Sequence, residues 1–141
     1  MKQRNSVTDI LRTNCTVIEA EATVDTIRYV FLHFPNEFLP VVEGIRFIGV
    51  IFRDEFQAQY VMGLESQLMA RELVSKEMVE LSPENTMEHA REIFDTKTYN
   101  IIPVVDENKD LMGIILREDF EVWDKQKSSF NPFGTLKRFF D

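Results

Sequence analysis

Leu39-Pro40-Val41-Val42-Glu43 and Ile102-Pro103-Val104-Val105-Asp106 are one phrase written twice, an apolar strand closed by an acid, with Pro40 and Pro103 63 positions apart. Toward the N-terminus the correspondence continues at the same offset. Thr23-Val24-Asp25 answers Thr86-Met87-Glu88, Arg28 answers Arg91, and Phe31 answers Phe94. Toward the C-terminus the offset becomes 64, because Gly49-Val50-Ile51-Phe52-Arg53 answers Gly113-Ile114-Ile115-Leu116-Arg117. One extra residue therefore sits in the second hairpin loop. Self-similarity at a fixed period is the mark of a repeated supersecondary unit.

Each copy reads in the same order. A short apolar or β-branched stretch (Thr16-Val17-Ile18; Val79-Glu80-Leu81) leads to a Thr suited to capping a helix. The helix places Val24, Ile27, Phe31 and Phe34 in one copy, and Met87, Ala90, Ile93 and Phe94 in the other, on one face at 3.6-residue spacing. Two apolar strands follow. Glu43-Gly44 joins residues 38–42 to 46–52 in the first copy, and Asp106–Asp110 joins residues 100–105 to 111–116 in the second. A second helix begins at Arg53 and at Arg117. The closing strands are nearly continuous apolar runs, as expected where both faces are buried. The expectation is two β-α-β-β-α repeats packed through their sheets into one folding unit. Residues 57–69, with Tyr60, Met62, Leu64 and Leu68, read as a linking helix broken near Gly63.

Composition excludes several classes. The 141 residues carry 44% hydrophobic content, enough for a core without disulfides, since a chain of this size buries roughly 68–70% of its unfolded surface. A net charge of −8 repels phosphate backbones, so nucleic acid is not an expected partner. The longest apolar runs, Phe47–Phe52 and Leu111–Leu116, fall far short of the roughly 20 residues that span a bilayer, so no transmembrane segment is expected. The N-terminal MKQRNSVTD lacks the apolar core of a secretory signal and Cys15 is the single cysteine, which points to a cytoplasmic compartment. His33, His89 and Cys15 lack metal-ligand spacing, so no metal site is assigned. Asp54-Glu55 and Glu118-Asp119 are helix neighbours whose side chains diverge, and no GxxxxGK[ST], GxGxxG or GxSxG motif occurs, so catalysis is not expected.

In these residues and their order the chain resembles a tandem pair of cystathionine β-synthase (CBS) domains. The lead-in segments Val7–Leu11 and Ala70–Val74, the two Pro-Val-Val strands, and the closing runs Gly49…Glu55 and Gly113…Asp119 carry the resemblance, which covers roughly residues 6–124. It implies an α+β fold whose two repeats are related by pseudo-twofold symmetry, and a regulatory or sensing module that dimerises and takes an adenosine-containing ligand between its repeats. AMP, ADP, ATP, S-adenosylmethionine and dinucleotides are the ligand class. No cofactor is required; an adenosyl nucleotide is the ligand implied.

The resemblance also directs attention to particular residues. The family's closing motif runs glycine, two apolar residues, Ser or Thr, two variable positions, then Asp, with the hydroxyl facing phosphate and the Asp accepting the ribose hydroxyls. Here Leu116 replaces the hydroxyl in the second copy while Asp119 keeps the ribose position; in the first, Phe52 and Glu55 stand at the two positions. Of the two clefts, the one built on Asp119 is therefore preferred. Arg53 and Arg117 sit beside the expected phosphate and offer charge-assisted hydrogen bonds. Tyr99, Asn100, Ile101 and Pro103 match the stretch that lines the adenine pocket. Each residue also has a purely structural explanation, since an acid in the first turn of a helix is favoured by the helix dipole by about 0.3–1 kcal/mol with no ligand at all.

The expected organisation is a first repeat with its lead-in (1–62), a linker (63–69), a second repeat (70–124) and a Phe-rich tail (125–141) in which Asn131-Pro132 breaks any helix. That tail folds back on its own surface, contacts a second copy, or meets another partner. Two functions stand side by side. One is a homodimeric sensor of an adenosyl ligand that acts on a protein effector; the other is a ligand-independent dimerisation or interaction scaffold, favoured by the missing hydroxyls at Phe52 and Leu116.

Overall fold

A computed structural model describes residues 5–75 and 77–129. Its elements follow the repeat: β1 (Ile18–Glu19), α1 (Val24–His33), β2 (Phe38–Glu43), β3 (Arg46–Phe52) and α2 (Arg53–Val61), then α3 (Met87–Thr96), β4 (Ile101–Val105), β5 (Leu111–Leu116) and α4 (Arg117–Ser129). Both leading helices begin at the threonines the pattern marks. The Thr23 side chain accepts from the Thr26 N–H, and Thr86 forms a reciprocal cap with His89.

The two hairpins are copies down to their irregularities. Pro40 pairs with Val50 and Pro103 with Ile114, and each ladder slips at the matching step, between Val41 and Val42 and between Val104 and Val105. In the first repeat β1 adds a parallel strand, through Ile18 opposite Val41. In the second, the apolar stretch 79–81 contributes only a bridge from Leu81 to Val104, at the equivalent place. The hairpin ends meet where the Phe47 N–H donates to the Lys109 carbonyl and the Leu111 N–H to that of Ile45.

The lead-in segments change places. Val7, in a short 3-10 turn over Val7–Ile10, is buried in the second repeat's core with Leu81, Met87 and Phe94. Ala70 and Leu73 are buried in the first repeat's core with Ile18, Ile27 and Phe31. The exchange is reciprocal: the Arg12 N–H donates to the Ile114 carbonyl at 2.8 Å, and the Ser75 N–H to that of Val50 at 2.8 Å. These crossings explain two glycines. A Cβ on Gly49 would lie 2.7 Å from the Val74 Cβ, and one on Gly113 would lie 2.4 Å from the Arg12 carbonyl oxygen. Neither approach leaves room for a side chain.

Three local expectations are corrected. The linking helix stops at Val61, because Gly63 has φ +97° and turns the chain, after which Leu64 and Leu68 pack on the first core. Phe34 is the C-cap of α1 and is 46% exposed, so Val24, Ile27 and Phe31 alone bury that helix face. Helix α4 runs to Ser129 and takes in the start of the segment read as a tail; residues 130–141, with their phenylalanines and the Asn-Pro break, lie outside the described residues.

Candidate functional site

The closing strands deliver the chain into α2 and α4 through Phe52 and Leu116. Phe52, the N-cap of α2, supplies no side-chain hydrogen bond. The first N–H of each helix is instead satisfied from the other side of the repeat, Arg53 donating to the Glu37 carbonyl and Arg117 to that of Asn100, both at 2.9 Å. This ties residues 36–38 and 99–101 to the helix starts and builds the walls of a cleft.

Arg53 and Arg117 reinforce the same tie. Arg53 donates through Nε to the Asn36 carbonyl and through Nη2 to the Phe34 carbonyl, both at 2.8 Å. Arg117 donates through Nε to the Tyr99 carbonyl and through Nη2 to the Lys97 carbonyl, both at 2.9 Å. Each guanidinium also lies over a core ring, 5.0 Å from Phe31 and 4.8 Å from Phe94. Both arginines are thus committed to backbone carbonyls of their own repeat.

A cavity of about 370 Å³ opens between the repeats, within the range of roughly 300–1,000 Å³ typical of small-molecule clefts. Glu37 and Phe38 come from the start of β2, Phe52, Asp54 and Glu55 from the β3–α2 junction, Ser75 and Glu77 from the second lead-in, and Thr98–Ile101 from the approach to β4. The Phe52 and Tyr99 rings are nearly parallel, 12° apart with centroids 6.4 Å from each other, and present aromatic faces on which a flat base can stack. The Tyr99 hydroxyl donates to the Glu77 carbonyl. Burial raises the Tyr99 phenol above its ordinary pKa, and the charges of Glu77 and Glu55 raise it further, so the group stays a neutral donor.

Of the residues singled out from the sequence, the cavity brings together Glu55, Tyr99, Asn100 and Ile101. Pro103 is buried within β4, and Leu116, Arg117, Asp119 and Arg53 do not line it. Asp119 has a partner of its own. Arg12 reaches it with two hydrogen bonds, Nε to Oδ2 at 2.7 Å and Nη2 to Oδ1 at 2.9 Å, and that bond and charge raise the arginine's pKa. Glu37, Phe38, Ser75, Glu77 and Thr98 are lining residues that the motif reading passed over. The repeat offset points to two of them, since Glu37 answers Asn100 and Phe38 answers Ile101. Ser75 and Glu77 enter only through the exchanged lead-in, which no local pattern announces.

Burial pushes the Cys15 thiol up, leaving it protonated near neutral pH. Among the described residues no three His, Cys, Asp or Glu side chains gather to hold a metal ion, and no helix is long and apolar enough to cross a membrane.

Comparison with known proteins bears on this geometry. Residues 70–121 match the CBS domain family. Inosine-5′-monophosphate dehydrogenase of Korarchaeum cryptofilum is 27% identical over 103 residues, which is 72% of this chain and 21% of that enzyme. The Methanocaldococcus jannaschii enzyme is 32% identical over 81 residues, 57% of this chain and 16% of that one. The chain therefore spans about a fifth or less of the length of the curated relatives it matches. Among solved structures, CBSX2 in complex with AMP superposes with a TM-score of 0.74 at 21% identity, covering 89% of this chain and 99% of that one; CBSX2 is a CBS-pair protein of Arabidopsis thaliana. A CBS domain pair in complex with 5′-methylthioadenosine and S-adenosyl-L-methionine gives 0.70 at 16% identity, over 89% of this chain and 99% of the other. CbpB in complex with c-di-AMP gives 0.74 at 17%, over 86% and 85%.

Proposed function

For a chain that carries a CBS domain at residues 70–121 and folds as a CBS-domain pair, we propose the function of a regulatory module that binds an adenosine-containing ligand in the cleft lined by Phe52, Glu55, Ser75 and Tyr99–Ile101. The observation that carries this reading is the cavity itself: an aromatic wall for a base, beside carboxylates able to accept ribose hydroxyls, at the junction of the two repeats. The structural relatives bound to AMP, to S-adenosyl-L-methionine and to c-di-AMP support the ligand class. The ligand shifts the relative placement of the repeats to the extent that it binds one arrangement better than another. The module has no catalytic activity of its own and works in the cytoplasm through a protein effector.

The same reading takes the protein as a homodimer. Leu32, Tyr60, Val61 and Met62 leave an apolar face on α1 and the end of α2, with Val61 82% and Met62 86% exposed, and a second copy covers it. The residue blocks 1–62, 63–69, 70–124 and 125–141 are our division of the chain. Because the lead-ins are exchanged, the two repeats respond as one unit. That exposed face is also what a ligand-independent scaffold would use, and it is the observation that keeps this second reading in view.

Thermal unfolding with AMP, ATP, S-adenosylmethionine and 5′-methylthioadenosine, each at about 1 mM, separates the two. A ligand at 100 times its Kd stabilises by about 2.7 kcal/mol, which at this chain length raises Tm by several degrees, each kcal/mol being worth roughly 2–8 °C. At least one such rise is expected, and it is lost in Ser75→Arg, which fills the cleft. Unchanged Tm with every compound overturns the sensor reading in favour of the scaffold.

A further inference from the structure

The two sides of the pair are unequal, and the difference falls on one pair of positions. By the repeat, Ser75 answers Arg12 at the offset of 63, and Glu55 answers Asp119 at the offset of 64. On one side the Arg12 guanidinium grips the Asp119 carboxylate with two hydrogen bonds, at 2.7 and 2.9 Å. On the other, the short Ser75 leaves Glu55 without that arginine, and the cavity of about 370 Å³ opens there. Resting on the adenosyl-ligand reading above, we propose that the Ser75–Glu55 cleft selects an adenosyl ligand that bears a sulfonium cation over its thioether and over a phosphorylated one. The ligand's cation takes the role in this cleft that the Arg12 guanidinium takes on the other side.

Three further features of the cleft act in the same direction. Its described lining carries four carboxylates, Glu37, Asp54, Glu55 and Glu77, and no cationic side chain, so a phosphate entering it meets like charge. The position from which a hydroxyl would face phosphate is Phe52, whose ring donates no hydrogen bond to an anion. The first N–H of the helix that would receive an anion is taken, since Arg53 donates it to the Glu37 carbonyl, and the Arg53 guanidinium is turned to the carbonyls of Phe34 and Asn36. What remains is an aromatic face for the base and carboxylates for the ribose and for a cation.

Isothermal titration of the full chain tests the proposal with S-adenosylmethionine, its thioether S-adenosylhomocysteine, which keeps the ammonium group and lacks the sulfonium charge, 5′-methylthioadenosine and AMP. The wild type binds S-adenosylmethionine at least tenfold more tightly than the thioether and AMP most weakly, and the preference shrinks from about 0.05 to 0.5 M salt as exposed carboxylates are screened. Glu55→Gln, an isosteric change at an exposed position, brings S-adenosylmethionine and the thioether to within about threefold of each other. Arg12→Ser, which frees Asp119, creates a second equivalent of cation-selective binding. AMP binding as tightly as S-adenosylmethionine, or equal affinity for S-adenosylmethionine and the thioether, overturns charge selection while leaving the adenosyl reading intact. Absence of binding by all four compounds overturns both.

Discussion

Arg53 and Arg117 stand at matching positions beside the expected phosphate, yet each turns its guanidinium back onto carbonyls of its own repeat and onto a core phenylalanine ring. Position and role separate here because a planar fork of donors satisfies two carbonyls at once, whereas an ammonium is a single point. Arg117→Lys is expected to destabilise the protein by about 1.5–3 kcal/mol, the range for lost hydrogen bonds to a charged donor, with urea unfolding as the readout. An unchanged midpoint would show that the carbonyls of Lys97 and Tyr99 are satisfied without the fork. The sequence identifies both residues and their equivalence through the repeat. It does not show where they point, because that depends on how closely residues 34–36 and 97–99 pass the helix starts. Asp119 teaches the same lesson from the other side. Its place in the motif is legible, but its partner lies 107 positions away at Arg12, and nothing local marks the pairing.

At the scale of elements the sequence is far more informative. The limits of β3 and β5 and the first residues of α2 and α4 coincide with the pattern, because each is fixed by local chemistry: an apolar run, a charged residue at the change of direction, acids in the first helical turn. The misreadings have equally local causes. Leu64 and Leu68 continue a helical spacing beyond Val61, but Gly63 at positive φ ends the helix and the leucines reach the core from a turn. The stretch 79–81 has strand composition, but only Leu81 meets the edge of β4. The closing glycines carry a more specific message. Gly113→Ala forces a Cβ to 2.4 Å from the Arg12 carbonyl oxygen, and backbone cannot yield as a side-chain tip can. The expected cost is about 1–3 kcal/mol by thermal or urea unfolding, together with loss of hydrogen-exchange protection at the Arg12 and Ile114 amides. Wild-type stability in Gly113→Ala would contradict the crossing of the lead-in over β5.

The molecule as a whole is held together by exchange. Each core contains the other repeat's lead-in, Val7 in the second and Ala70 with Leu73 in the first, so the two repeats form one folding unit and any ligand between them bears on both. The exchange also makes the two sides unequal, because it sets Arg12 against Asp119 and Ser75 in the cleft with Glu55. A tandem repeat predicts two equivalent sites; the side chains that cross pair the acid with an arginine on one side and set a serine beside a cavity on the other. The central claim is therefore spatial, that ligand enters the cleft of Phe52, Ser75 and Tyr99–Ile101, and an amide chemical-shift titration of the isotopically labelled chain with S-adenosylmethionine tests it most directly. The account predicts that the largest saturable shifts fall at Phe52, Glu55, Ser75 and Tyr99–Ile101, with little change at Arg12 and Asp119. Shifts centred on Arg12 and Asp119, or none at saturating ligand, would contradict it.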